Sequence, residues 1–180
     1  MEVVTLNPSD TAHFNQMMNL LYDEWHDMFR ESGLRSVTAI TRYYRANIKT
    51  IRFFVLIEDD RVVAGYSFMI RNNRLFLCDF IVHPSLRKRG YSTKLMSDAC
   101  SRAFKEGWQE MYLNATKSLV PFYTKYGFTP IGYEGPNNKW TTMMRPLGRQ
   151  ATDGQQTLTN YFVLLVFGTT VAALTWIALS

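Results

Sequence analysis

The chain has 180 residues, of which 47% are hydrophobic and 19% are charged, and this length predicts one domain with an appendage. The formal net charge of +5 would suit nucleic acid. However, the chain has no zinc-ligand pattern and no RNA-binding signature, so no nucleic-acid partner is expected. An anionic ligand and an anionic membrane surface explain the charge at least as well.

Cysteine and histidine residues give no sign of a metal centre. Cys78 and Cys100 lack the spacing of metal ligands, so reduced and mostly buried thiols are expected. His13, His26 and His83 form no cluster, and we interpret each as structural or exposed. The first residues lack a basic start and a long apolar run, so no secretory signal is expected.

The first third of the chain predicts an edge strand followed by two helices. Residues 3–6 are β-prone, and either Ser9 or Asp10 is expected to cap the helix that comes next. A second helix is predicted at about residues 37–48. The first helix shows an apolar stripe at helical spacing, formed by Phe14, Met17, Met18, Leu21, Trp25 and Phe29.

Three β-prone runs follow, at residues 53–57, 61–69 and 75–82. The first two surround Glu58-Asp59-Asp60, which is a hairpin turn signal. Beyond the third run, apolar residues recur at spacings of three and four and predict another helix. These are Leu95, Met96, Ala99, Ala103 and Phe104.

A basic turn, RKRGYS at residues 87–92, lies between the third run and this helix. The first amides of a helix lack intrahelical partners, and the helix dipole places partial positive charge there. Gly90 lets the backbone approach a bulky anion, while Arg87, Lys88 and Arg89 add charge that a pyrophosphate would attract. The turn is therefore interpreted as an anion site, with a solvated loop as the alternative.

The residues around this turn resemble a known signature. Val82, Pro84, Arg87 and Gly90 match V-x-P-x-x-R-x-x-G-x-(G/A), the acyl-CoA-binding signature of the GNAT superfamily of N-acyltransferases. In that family the backbone amides of the turn hold the pyrophosphate of coenzyme A. The last position is Ser92, where the family usually has Gly or Ala. Its small side chain is expected to preserve the cradle, and its hydroxyl to serve the anion or cap the helix.

A second resemblance lies downstream, in FYTKYGF at residues 122–128. It is similar to the family's Y-x-x-x-G-F signature, whose tyrosine lies near the thioester and often acts as the general acid. Tyr123 occupies that position, and its phenol can protonate a leaving thiolate. The alternative is a core tyrosine on a short helix, which is predicted at residues 118–126 with Ser118 as its cap.

The resemblance also implies contacts to the coenzyme and a base. The strand at residues 80–82 would splay from its neighbour, bind the pantetheine arm and polarise the thioester carbonyl. The family often has Asn seven residues before its tyrosine; this chain has Thr116 there, and Asn114 lies out of register. The implied coenzyme-binding residues are Phe80, Ile81, Val82, Arg87, Lys88, Arg89, Gly90, Tyr91, Ser92 and Thr116.

Asp79 is the first candidate for the base, since family members often carry an acidic residue three positions before the Val of the motif. A structural acid at a strand end is the alternative, and Glu134 is a second candidate base. The resemblance thus implies acetyl transfer from acetyl-CoA to a primary amine, by direct attack in a ternary complex and without a metal. A non-catalytic, membrane-bound acyl-CoA sensor or adaptor is the other hypothesis. The acceptor stays open among small amines, amino acids, protein N-termini and lysines.

The order of the predicted elements agrees with the family's α/β (α+β) fold, a mixed and mostly antiparallel sheet flanked by helices. Residues 1–147 are assigned to this domain, with a last strand at residues 140–145. A polar linker at residues 148–160 leads to YFVLLVFGTTVAALTWIAL at residues 161–179.

That C-terminal run is uncharged and long enough to span a bilayer. Tyr161 and Trp176 lie near its ends, as interfacial aromatic residues do. Arg145 and Arg149 precede the run, and only Ser180 follows it. These features predict a transmembrane tail anchor that leaves the N-terminal domain in the cytosol. A core helix or a groove-filling tail is the alternative.

Overall fold

The computed structural model describes residues 2–148. Its helices and strands follow the predicted order: β1 Val3–Thr5, α1 Thr11–Glu31, α2 Val37–Ala46, β2 Ile51–Glu58, β3 Arg61–Arg71, β4 Arg74–Val82, α3 Tyr91–Lys105, β5 Glu110–Ala115, α4 Val120–Thr124, β6 Thr129–Glu134 and β7 Trp140–Pro146.

The strands form one sheet in the order β1-β2-β3-β4-β5-β7-β6. Every neighbouring pair is antiparallel except β4 and β5, which are parallel. The predicted mixed, mostly antiparallel sheet is therefore confirmed. The parallel pair is where the chain crosses over through α3, because parallel neighbours need a long connection and usually a helix.

The helices cover the sheet from both faces. In β2, Phe53 and Val55 pack with α1 and α2, whereas Phe54 and Leu56 pack with α3 and α4. This alternation follows from the two-residue repeat of a strand. Five of the six residues of the predicted stripe in α1 are buried, and Trp25 is partly buried.

The helix ends differ in part from the sequence predictions. Asp10, rather than Ser9, caps α1, because its carboxylate accepts a hydrogen bond of 3.2 Å from the amide of His13. The second helix ends at Ala46, two residues before the predicted end. Asn47 caps this end, since its side-chain amide donates to the carbonyl of Tyr43 at 2.8 Å and its backbone amide donates to the same carbonyl at 3.2 Å.

The predicted helix at residues 118–126 is wrong in its length and its cap. The chain first makes a 3-10 turn at Lys117–Leu119, and α4 then begins at Val120. Pro121 favours this later start, because it has no amide hydrogen and fits the first turn of a helix. Ser118 does not cap α4; its hydroxyl lies 3.0 Å from that of Thr116.

Within residues 2–148, no helix combines the length and the apolar character that a membrane crossing requires. The predicted anchor at residues 161–179 and the linker beyond residue 148 lie outside the described residues.

Candidate active site

The sheet opens between β4 and β5. The two strands pair only at Leu75 with Met111 and at Phe76 with Tyr112. Beyond Phe76, β4 continues to Val82 with its other edge still paired to β3. The backbone groups of residues 80–82 that face β5 therefore lack a strand partner in the described part of the chain. The family resemblance implied this divergence at residues 80–82, and in the structure it begins earlier, after Phe76.

A β-bulge lies on the edge of this opening. Gly65 pairs with Ile81 and Ser67 with Cys78, so two residues of β4, Asp79 and Phe80, oppose Tyr66 alone. Asp79 has a φ of +51°, as bulged positions often require an unusual backbone conformation. The acid thus lies within β4, three residues before its end.

The bulge directs the Asp79 carboxylate towards α2. The Tyr44 hydroxyl donates to Oδ1 of Asp79 at 2.7 Å, and the Ser67 hydroxyl donates to Oδ2 at 2.5 Å. Desolvation of this carboxyl group raises the pKa of Asp79 above its usual value, whereas the two hydrogen bonds act to lower it. The net effect is a carboxylate that holds a proton more readily than an exposed one.

Tyr123 approaches β4 from α4, on the opposite face of the sheet. Its ring lies 6.2 Å from that of Phe80 and 5.0 Å from that of Phe122, and only 8% of the residue is exposed. Among the described residues, its hydroxyl has no hydrogen-bond partner. Burial and the nearby Cys78 thiol raise the pKa of Tyr123, so the phenol stays protonated over the physiological range. The Tyr123 ring therefore lies beside Phe80 on one face of the sheet, whereas the carboxylate of the preceding residue, Asp79, points to the other face.

The basic turn presents an open helix terminus. Gly90 has a φ of +86° and stands directly before the first residue of α3. A Cβ atom added at Gly90 would meet nothing within 4 Å, and no side chain of the described residues caps the first turn of α3. Ser92 lies inside that first turn, so the interpretation of Ser92 as the cap is wrong.

Two side chains of the turn are engaged elsewhere in the fold. Arg87 donates to Glu24 of α1 at 2.5 Å and to the carbonyl of Val82 at 3.2 Å. Tyr91 donates to the carboxylate of Glu58, at the end of β2, at 2.7 Å. Since Glu24 offsets the charge of Arg87, the positive charge left to the turn comes from the exposed Lys88 and Arg89 and from the dipole of α3.

The remaining candidates lie near the end of β5. Thr116 follows that strand directly and faces Ser118. Asn114 donates to Glu134 at 2.9 Å, and Arg71 donates to the same carboxylate at 2.8 Å. The hydrogen bond from Arg71 is the main reason why the pKa of Glu134 is lowered. Glu134 is therefore a weaker base than Asp79.

Tyr44 and Ser67 were not identified from the sequence. Ser67 is fully buried within an otherwise apolar run, and this isolated polar residue was the available signal. Tyr44 gave no such signal in the sequence, since one of two adjacent tyrosines on an amphipathic helix is expected to be buried. Within residues 2–148, no group of three or more His, Cys, Asp or Glu side chains is placed to hold a metal ion.

Comparisons with known proteins agree with this architecture. A family profile described as "Acetyltransferase (GNAT) domain" matches residues 26–145. A search of curated proteins finds no match. An aminoglycoside 6'-N-acetyltransferase complexed with coenzyme A has a TM-score of 0.69 at 14% identity, over 84% of this chain and 100% of that chain.

Two further solved structures are similar. The PaiA N-acetyltransferase of Thermoplasma acidophilum, in complex with coenzyme A, has a TM-score of 0.63 at 17% identity, over 81% of this chain and 98% of that chain. A GNAT-family acetyltransferase of Staphylococcus aureus Mu50 has a TM-score of 0.63 at 14% identity, over 82% of this chain and 99% of that chain. At these identities the likeness shows the fold alone.

Proposed function

Because this chain belongs to the GNAT acetyltransferase domain family, we propose that it transfers an acetyl group from acetyl-CoA to a primary amine. The single observation that carries the proposal is the opening between β4 and β5, with Asp79 on β4 and the Tyr123 ring 6.2 Å from that of the next residue, Phe80. Coenzyme A in two of the similar structures supports the choice of co-substrate.

Coenzyme binding is assigned to two regions. The uncapped amides of α3, at Tyr91 and Ser92, hold the pyrophosphate together with the Gly90 backbone, because a helix N-terminus attracts anions. The backbone groups of residues 80–82 that lack a partner on the β5 side hydrogen-bond the pantetheine arm as a neighbouring strand would. Lys88 and Arg89 add charge at the turn, and Thr116 contacts the arm from the end of β5.

The transfer itself forms a C–N bond and breaks the C–S bond of the thioester. The amine nitrogen attacks the carbonyl carbon while a backbone amide of residues 80–82 stabilises the carbonyl oxygen. Asp79 accepts the proton that the nitrogen must lose, directly or through one water. Tyr123 donates its hydroxyl hydrogen to the departing sulfur, which leaves as the thiol of coenzyme A, and the proton held by Asp79 then passes through water to restore the Tyr123 phenol.

Asp79 is preferred to Glu134 as the base on electrostatic grounds. Burial raises the pKa of Asp79, and no ionised side chain of the described residues bonds to it. The pKa of Glu134 is lowered because Arg71 stabilises its charged form. A base with a pKa closer to the working pH accepts a proton more effectively.

The test is release of free thiol from acetyl-CoA by the full chain in detergent, with a panel of small amines, amino acids and peptides. We expect release that depends on the amine, and an acetylated product of matching amount. The second candidate function, a non-catalytic acyl-CoA sensor, predicts tight coenzyme binding without release for every amine. That outcome would replace the enzyme proposal with the sensor.

We also propose that residues 161–179 anchor the protein in a membrane, with the enzyme domain on the cytosolic side. The proposal rests on the uncharged run and its terminal aromatic residues. Val166→Arg combined with Val171→Arg should shift the protein to the soluble fraction. A charged residue at the middle of a span costs about 2.5–3.5 kcal/mol on insertion scales.

Alkaline extraction of membranes measures this effect. Gln155→Arg combined with Thr157→Arg is the matched control, because it adds the same charge within the polar linker, and this variant should remain in the membrane pellet. An intact chain that is soluble and monodisperse without detergent contradicts the anchor.

A further inference from the structure

We propose that Tyr44 and Ser67 are positioning residues, which hold the Asp79 carboxylate in the orientation and charge state that the acceptor amine requires. The inference rests on the proposed function and deepens it, because it assigns to α2 and β3 a part in proton transfer on the amine side of the site.

The geometry fixes the carboxylate from two directions. Tyr44 comes from α2 and Ser67 from β3, and each donates to a different oxygen of Asp79. Both donors are buried, with 6% of Tyr44 and none of Ser67 exposed, so neither hydroxyl has bulk water as an alternative partner. Two donors of separate elements restrict the rotation of the carboxylate about its side-chain bonds.

The arrangement leaves the base able to react. An ionised carboxylate has about four lone-pair sites, and the two hydroxyls occupy two of them. As a residue Asp79 is partly exposed, whereas Ser67 is fully buried. The proposal assigns the remaining lone pairs of the carboxylate to the amine or to one bridging water.

The two hydroxyls also oppose the effect of burial. Desolvation favours the protonated acid, which cannot accept a proton, whereas a hydrogen bond donated to the carboxylate favours the charged form. Loss of either hydroxyl should therefore raise the pH at which Asp79 becomes ionised. A merely structural role of these hydrogen bonds would change stability without shifting the pH dependence of the reaction.

Other titratable groups lie around this cluster. Cys78 is the neighbour of Asp79 on β4, and its own pKa is raised by burial and by the Asp79 charge. The Cys78 thiol raises the pKa of Tyr123 on α4, and Arg71 on β3 acts to lower the pKa of Cys78. Tyr43 is the nearest tyrosine to Tyr44 on α2, with ring centroids 5.3 Å apart. None of these groups donates a hydrogen bond to Asp79 among the described residues.

The first experiment compares pH profiles of kcat/KM for the full chain, with the amine that gives the fastest thiol release. Tyr44→Phe should move the acidic limb of the profile to higher pH, with a loss of about tenfold on that limb and little loss at high pH. Affinity for coenzyme A should not change. Ser67→Ala should behave alike, and Ser67→Thr, which keeps the hydroxyl, should restore the profile.

Tyr43→Phe is the matched control, since it removes the same atom from the adjacent, half-exposed tyrosine. Its profile should coincide with that of the unmodified chain. A Tyr44→Phe profile that is unchanged, or that falls equally at every pH, overturns the positioning role.

A second measurement separates this inference from the proposed function. The carboxyl carbon of Asp79 is followed by NMR titration, with its signal assigned by loss in Asp79→Asn. Tyr44→Phe should move the titration to higher pH relative to the unmodified chain and to Tyr43→Phe, and coincident curves overturn the inference. Absence of amine-dependent thiol release would instead overturn the proposed function, and the NMR result would then show only whether Tyr44 stabilises the ionised form of Asp79.

Discussion

Gly90→Glu is expected to weaken coenzyme A binding by at least about 10²-fold, because a carboxylate would stand where the pyrophosphate is proposed to lie. The space beside Gly90 is open, so the side chain would enter the region in front of α3 rather than clash with the protein. Calorimetric titration of the full chain with coenzyme A measures the loss.

The backbone strain of this change needs its own control. Gly107 follows α3 at the opposite end, has a φ of +87° and also has nothing within 4 Å of an added Cβ. Either substitution places a non-glycine residue in the left-handed region, at a cost of about 1–2 kcal/mol. The helix dipole favours an acid at the N-terminus and disfavours it at the C-terminus.

The free energy of unfolding should therefore fall at least as much in Gly107→Glu as in Gly90→Glu. Gly107→Glu should nevertheless still bind coenzyme A. Gly90→Gln separates charge from bulk, and we expect a smaller loss for it. Unchanged affinity in Gly90→Glu would remove the pyrophosphate from this turn.

Tyr123→Phe is expected to lower turnover by about 10²-fold, within the range for a positioned acid. The ring can stay in its aromatic surroundings, against Phe80 and Phe122, because only the hydroxyl is lost. That hydroxyl has no partner to abandon among the described residues, so stability should change little. Coenzyme affinity should also be retained, and steady-state kinetics together with calorimetry distinguish the two effects.

Tyr133→Phe provides the comparison for this prediction. Tyr133 lies on β6 with 63% of its surface exposed, and loss of its hydroxyl should leave turnover unchanged. Full activity in Tyr123→Phe would reduce Tyr123 to a packing residue. If the same variant lost coenzyme binding, the hydroxyl would contribute to binding of the coenzyme before the reaction rather than to departure of the thiolate.

The features that were predicted correctly are those that depend on residues close together in the sequence. The apolar stripe of α1 and the glycine before α3 are local patterns, and each is found where it was expected. The end of α2 and the start of α4 were misjudged by a few residues. There, single residues decide the helix ends, because the Asn47 side chain donates to a backbone carbonyl and Pro121 lacks an amide hydrogen, and periodicity does not detect these effects.

The contacts of the site could not be predicted in the same way. Tyr44 and Asp79 are 35 residues apart, and Arg87 and Glu24 are 63 residues apart. Such pairs depend on how α1 and α2 lie on the sheet, which the sequence pattern does not fix. The bulge at Asp79 was also hidden, because residues 75–82 have the composition of a regular strand.

The narrow junction between β4 and β5 divides the sheet into a four-stranded and a three-stranded segment. If the pantetheine arm lies in the opening, the co-substrate serves as a surrogate strand and completes the hydrogen bonding that the chain leaves unfinished. Ligand binding and unfolding are then linked, since a ligand held only by the native state raises the free energy of unfolding with its concentration. The co-substrate would thus stabilise the sheet as well as take part in the reaction. Each release and rebinding of the coenzyme would break and re-form these hydrogen bonds.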